Sequence, residues 1–256
     1  MLFQSGGVSG HSKWHSIKHK KGAADAARGK LFARLCREIE VAARTGGGDP
    51  DSNATLRTKI QKARDASVPK DNIENAVKRG TGELEGVVYE QLNYEGYAPN
   101  GVAVYVECLS DNRNRTGSEI KNIFSRNGGS LAEPGAVAWQ FERKGIIITA
   151  SGADEEQVML VALDAGAEDI AEVAGGFTIT TPPSDVLTIR AALEEAGIGI
   201  ESADTTMVAS TQIELADEGS AKQVLRVIDA LEDHDDVQGV YANFDIPESV
   251  LDAVVG

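Results

Sequence analysis

GIIITASGADEEQVMLVALDAGAEDIAEVAGGFTITTPPSDVLTIRAALEEAGIGIESADTTM, residues 145–207, decides the fold class of this chain. Gly145–Ala150 is a short β-branched run of strand length. Asp154–Ala165 takes the helical period. Ile170–Val173 and Phe177–Thr181 return to strand, with glycines between them as a turn. Ser184 is placed to cap a helix over Asp185–Ala196, and Gly199–Met207 is extended again. The order is β-α-β-β-α-β, a ferredoxin-like unit. A strand over Ala136–Phe141 is expected just ahead of it.

Similar signals lie on both sides. Upstream, Leu92–Tyr97 and Val102–Leu109 read as strands and Thr116–Asn127 as a helix. Downstream, Thr211–Leu215 and Gly239–Ile246 read as strands around a helix at Ala221–Leu231. The downstream elements would complete the upstream ones. The expectation is therefore a discontinuous α/β domain, 84–133 plus 208–256, with a second α/β domain, 134–207, inserted in it. Two sequential domains are the simpler alternative. The class is α+β and multidomain, with two ferredoxin-like-type α/β domains.

A helical bundle precedes them, at 29–83. Leu31, Leu35, Ile39 and Ala42 form one apolar face, and Thr45–Pro50 breaks that helix. Asn53 caps a second helix with Leu56, Ile60 and Ala63 inward. Pro69 interrupts it. Asp71, with Glu74 three residues on, is placed to cap a third helix, which Gly80 closes after Lys78 and Arg79. Residues 1–28 comprise a tag remnant, Met1–Gly7, and a flexible basic arm, so the natural chain is expected to begin at Val8.

The net charge of −15 is unevenly spread. Residues 1–80 hold 16 Lys and Arg against 8 Asp and Glu, a net of +8, whereas 81–256 carry −23. A basic head attracts polyanions and an acidic body repels them. No run approaches the roughly 18 apolar residues of a membrane span. Neither does the N-terminus carry an apolar signal core. Cys36 and Cys108 read as buried thiols of a reducing compartment, the cytoplasm.

The arm holds Lys13, Lys18, Lys20 and Lys21 around Trp14, with His11, His15 and His19 interleaved. Phosphates need several cationic donors and unpaired bases need an aromatic face. The candidate nucleic-acid contacts are thus Lys13, Trp14, His15, Lys18, His19, Lys20, Lys21, Arg28 and Lys30. Arg34 and Arg37 on the first helix, with Arg57 and Lys62 on the second, would extend a phosphate track. Arg28 and Lys30, next to the arm, are better placed than Arg64. A solvated tail with Trp14 tucked into the body is the plain alternative.

The histidines recur every four residues, but four lysines and no nearby acid or thiol argue against a metal. No catalytic set assembles: His234 lies in an acidic turn, read as solvated, and Gly46-Gly47-Gly48 lacks the Lys-Ser/Thr of a phosphate loop. No enzyme activity, metal or cofactor is expected, and a monomer is favoured.

Gly10-His11-Ser12-Lys13-Trp14 and Ile17-Lys18-His19-Lys20-Lys21 resemble the opening of YebC-type proteins. Lys30-Leu31-Phe32, Gly46–Pro50, Val68–Glu74, Lys78–Gly82, Tyr94–Gly101, Asp111–Thr116 and Asn127-Gly128-Gly129 resemble that family too, across residues 9–246. The resemblance implies a helical head, two α/β units with a cleft among them, and a DNA-binding transcriptional regulator. Mitochondrial relatives are translational activators, and bacterial members have been tied to the ribosome and to proline-rich stalling. A ribosome-associated factor binding ribosomal RNA is therefore the second class. No helix-turn-helix signature supports major-groove reading, and a Lys/His/Trp arm suits irregular RNA better than regular duplex.

Overall fold

The computed structural model describes residues 25–173 and 175–255. Helix α1 spans Asp25–Gly46, α2 Ala54–Asp65 and α3 Lys70–Thr81. Their apolar faces meet in one core of Leu35, Ile39, Leu56, Ile60, Ile73 and small alanines. The Asn53 side chain accepts from the Leu56 amide at 3.0 Å and donates to the Ala42 and Gly47 carbonyls. One residue thereby starts α2 and ties the glycine loop to the end of α1.

Two caps differ from expectation. Helix α3 begins after Pro69, whose fixed φ suits a helix start, rather than at Asp71. It closes on Gly82, left-handed at φ 83°, and Gly80 lies inside it. Gly80 serves close approach instead. A Cβ there would stand 2.4 Å from the Glu40 carbonyl oxygen and 2.7 Å from the Ala43 Cβ. Gly80→Ala is therefore expected to destabilise the three-helix head by about 1–3 kcal/mol, because overpacking outweighs the better helix propensity. A chemical-denaturation midpoint equal to that of the parent would refute this.

Strands β1 (Glu90–Tyr97) and β2 (Ala103–Ser110) form an antiparallel hairpin, followed by α4 (Arg113–Arg126) and the short β3 (Ser130–Ala132). Strand β4 spans Phe141–Thr149, α5 Glu155–Asp164, β5 Asp169–Val173, β6 Gly176–Thr181, α6 Val186–Glu195 and β7 Ile200–Ala209. The chain ends with β8 (Ile213–Glu214), α7 (Glu218–Glu232), β9 (Val237–Ala242), β10 (Phe244–Asp245) and α8 (Glu248–Val255). Helix α8 gives Leu251 to the core without a prior sequence signal.

Residues 142–208 form one compact unit, and 25–141 with 209–255 the other. The inserted unit has sheet order β5-β6-β4-β7, the ferredoxin-like arrangement that its element order implies. Its core centres on Ile147, Val158, Ile179, Ile189 and Leu193. Asp185 rather than Ser184 precedes α6; the Ser184 hydroxyl donates to the Asp185 carboxylate and caps nothing.

The other unit has sheet order β3-β1-β2-β9, all antiparallel, over a core shared by α4 and α7. Its two central strands, β1 and β2, are consecutive in the chain, whereas those of the inserted sheet, β6 and β4, are not. A two-residue parallel pair, β8 with β10, stands apart.

The expected strand at Ala136–Phe141 is instead a turn with a 3₁₀ step, Ala138–Gln140. Its backbone is occupied elsewhere. The Glu95 carboxylate on β1 accepts from the amides of Gly135, Val137 and Ala138 at 2.6, 2.6 and 2.8 Å. No helix among the described residues is long and apolar enough to cross a membrane.

Candidate nucleic-acid interface

Lys13, Trp14, His15, Lys18, His19, Lys20 and Lys21 lie outside the described residues, as do His11 and residues 1–7, the expected tag remnant. The first cation described is Arg28, exposed on α1.

The apolar face of α1 belongs to the head core, so Lys30, Arg34 and Arg37 stand together on another face. That face meets the turn after α7. Lys30 donates to the Asp233 carbonyl at 3.1 Å, Arg34 to that of Glu232 at 3.1 Å and Arg37 to that of Asp235 at 2.6 Å. The cations thus sit at the carbonyl end of α7, where the helix dipole favours positive charge. A groove of about 260 Å³ remains among Lys30, Arg34, Arg37, Glu232, His234 and Asp235. Arg37 also lies 5.6 Å over the Tyr89 ring. It borders a second cleft, about 540 Å³, whose charged lining includes Arg79, Glu40 and Glu85.

Helix α2 presents a different surface. Arg57 and Arg64, seven residues apart, are exposed, and Arg57 reaches the Pro50 carbonyl at 3.3 Å. Lys62 on this helix is half-buried. Lys59 is engaged with Glu38 at 2.6 Å. The buried Glu40 carboxylate takes both Arg79 and Arg44. The structure therefore gathers Lys30, Arg34 and Arg37 against the acidic turn and leaves Arg57 on a separate helix.

His234 is not a solvated side chain. Its Nδ1 accepts from the Asp236 amide at 3.1 Å, which places the ring proton on Nε2, 2.8 Å from the Glu119 carboxylate. Cys36 is only partly buried, contrary to expectation, whereas Cys108 is buried and its thiol is pushed up to about 12 by that burial. Among the described residues no three His, Cys, Asp or Glu side chains group to hold a metal.

Nothing in the local sequence singles out Asp236. It is buried, and one carboxylate oxygen accepts from Thr116 Oγ1 and from Arg115, each at 2.7 Å. Its other oxygen is 3.7 Å from Arg37. The start of α4, the end of β2 through Ser110, and α1 thus converge on one side chain. Burial alone would raise its pKa, but the Thr116 and Arg115 donors outweigh that and hold it below the ordinary value of 3.8. Its stabilising contribution is therefore complete above that value and lost as the pH falls through the lower folded-state value. Asp236→Ala is expected to cost about 2–3 kcal/mol, since it removes a buried charged acceptor shared by Thr116 and Arg115. Thermal melts at neutral pH check this; an unaltered midpoint would show the network to be dispensable.

A family model described as "TACO1/YebC protein N-terminal domain" matches residues 12–83, and one described as "TACO1/YebC second and third domain" matches 89–244. A protein of Halothermothrix orenii named "Probable transcriptional regulatory protein" is 54% identical over 250 residues, covering 96% of this chain and 99% of the relative. One of Thermobifida fusca with the same name is 54% identical over 246 residues, 95% of this chain and 98% of the relative. The crystal structure of a conserved hypothetical protein from Aquifex aeolicus superposes with a TM-score of 0.79 at 46% identity, covering 88% and 93% of the two chains.

Proposed function

Since the chain belongs to the TACO1/YebC family, we propose that it is a non-enzymatic, cytoplasmic regulator of transcription that binds DNA through its N-terminal segment and helical head, residues 29–83. Relatives of about half-identical sequence, matched over nearly their whole length, are named "Probable transcriptional regulatory protein". The observation that carries the nucleic-acid reading is the split of charge: +8 over residues 1–80 against −23 over the rest. A polyanion is drawn to one end and repelled by the other, which orients the protein before any specific contact forms.

Within this proposal the candidate contacts are unequal. Lys30, Arg34 and Arg37 already hold the carbonyls of the acidic turn. They would have to exchange those bonds for phosphate oxygens. Lys13, Lys18, Lys20, Lys21 and Arg28 therefore carry the main electrostatic role, with Arg57 and Lys62 extending it along α2. Trp14, His15 and His19 supply ring faces for bases.

Crosslinking the protein in cells and sequencing the attached nucleic acid tests the assignment. Promoter DNA is the expected product. Predominant recovery of ribosomal RNA would overturn the transcriptional reading in favour of a ribosome-associated factor.

A further inference from the structure

We propose that the outer face of α5, on the inserted unit, is a docking surface for a basic protein segment with an apolar anchor. Helix α5 is apolar on two sides. Val158 and Ala162 face its own core, fully buried. Met159, Leu160 and Leu163 point away, 43%, 65% and 52% exposed. A surface helix of a self-sufficient domain puts polar residues there, and an exposed apolar cluster marks a contact site. The flexible thioether of Met159 suits adaptable packing.

The charges around the cluster name its occupant. At helical spacing, Glu155, Met159 and Leu163 make one row and Glu156, Leu160 and Asp164 the next. Carboxylates therefore close the apolar patch at both ends, and Glu155, Glu156 and Asp164 are exposed. The unit as a whole, residues 142–208, holds 13 Asp and Glu against 3 Lys and Arg. Lys144 is engaged with Glu142 and Glu168, and Arg190 with Glu194, so these cations are largely neutralised. The complement is an apolar ridge flanked by Lys or Arg. The same acidic unit of a second copy would bring like charge against like, and a nucleic acid would do the same. The chain's own basic residues, 11–21, are assigned above to nucleic acid, which leaves a separate protein as the occupant.

The test uses the full chain and a short synthetic amphipathic helix of Leu and Lys, with a Leu–Glu version as control, read by fluorescence anisotropy. The Leu–Lys peptide should bind and the Leu–Glu peptide should not. Leu160→Ser with Leu163→Ser should weaken the Leu–Lys peptide by at least about tenfold at an unchanged melting temperature. Glu155→Gln, Glu156→Gln and Asp164→Asn together should weaken it and flatten its salt dependence. Undiminished binding to the serine variant would reduce the effect to bulk charge and overturn the proposal, as would no measurable binding. Self-association of the parent that the serine changes abolish would make the face a dimer contact. A gain in peptide affinity on neutralising Lys13, Lys18, Lys20 and Lys21 would make the chain's own N-terminal segment the occupant. Either result overturns the proposal.

Discussion

Glu95→Ala is expected to lower the stability of the unit built on β1 by about 3–5 kcal/mol. The carboxylate accepts three amides at 2.6–2.8 Å, from Gly135, Val137 and Ala138. It is itself buried, so water does not stand ready to replace it. Alanine would strand those donors, at about 1–3 kcal/mol for each one that stays buried, and would release the turn that carries the exposed Trp139. Glu95→Gln keeps one acceptor oxygen and should fall between the two. The charge matters as well. Burial alone would raise the Glu95 pKa, but the three amide donors outweigh it and hold it below the ordinary 4.5. A lowered folded-state value means that the stabilisation is complete above about 4.5 and is lost as the pH falls through the folded value. The gap between wild type and Glu95→Gln should thus be widest at neutral pH and close in acid. Thermal melts of both proteins from pH 7 down to about pH 3 measure it. Parallel curves, or equal midpoints at neutral pH, would show that the carboxylate does not hold the turn.

Glu95 also illustrates what the sequence conceals. Local signals were legible. The apolar spacing of Leu35 and Ile39 and the cap at Asn53 are decided within a few residues, and so are the alternations that order residues 145–207. Long-range roles were not. Glu95 meets its amides some forty residues downstream, Asp236 meets Thr116 across 120 positions, and Gly80 is required by the carbonyl of Glu40 on another helix. Residues 136–141 carry strand composition, yet Glu95 claims their amides. The same limit applies to the candidate site. Lys30, Arg34 and Arg37 count as cations in any reading of the sequence, but only the fold shows that the carbonyls of residues 232–235 already occupy them. Charge is a property of the residue; availability is a property of its neighbours.

Replacing Lys13, Lys18, Lys20 and Lys21 together by Ala is expected to lower nucleic-acid affinity by at least about a hundredfold at moderate salt and to leave the melting temperature unchanged. The stability half of the expectation follows from the head core, which is built from Leu35, Ile39, Leu56 and Ile60 on α1 and α2. The affinity half follows from counterion release: each lysine removed should flatten the plot of log affinity against log salt by somewhat under about one unit. Trp14→Ala separates a second contribution. If a base stacks on the indole, affinity should fall by about 1–3 kcal/mol with the salt slope nearly unaltered, because no charge is lost. If the indole packs on the protein instead, the melting temperature should fall while affinity stays. Measuring affinity, salt slope and melting temperature for both variants distinguishes these outcomes. An unchanged slope in the four-lysine protein would remove residues 13–21 from the binding surface. The remaining cations would then be Arg28, Arg57 and Lys62, together with Lys30, Arg34 and Arg37, and these last three could contribute only by giving up the acidic turn. Replacing Asp235 by Asn would in that case raise affinity, since it removes the carboxylate that pairs with Lys30.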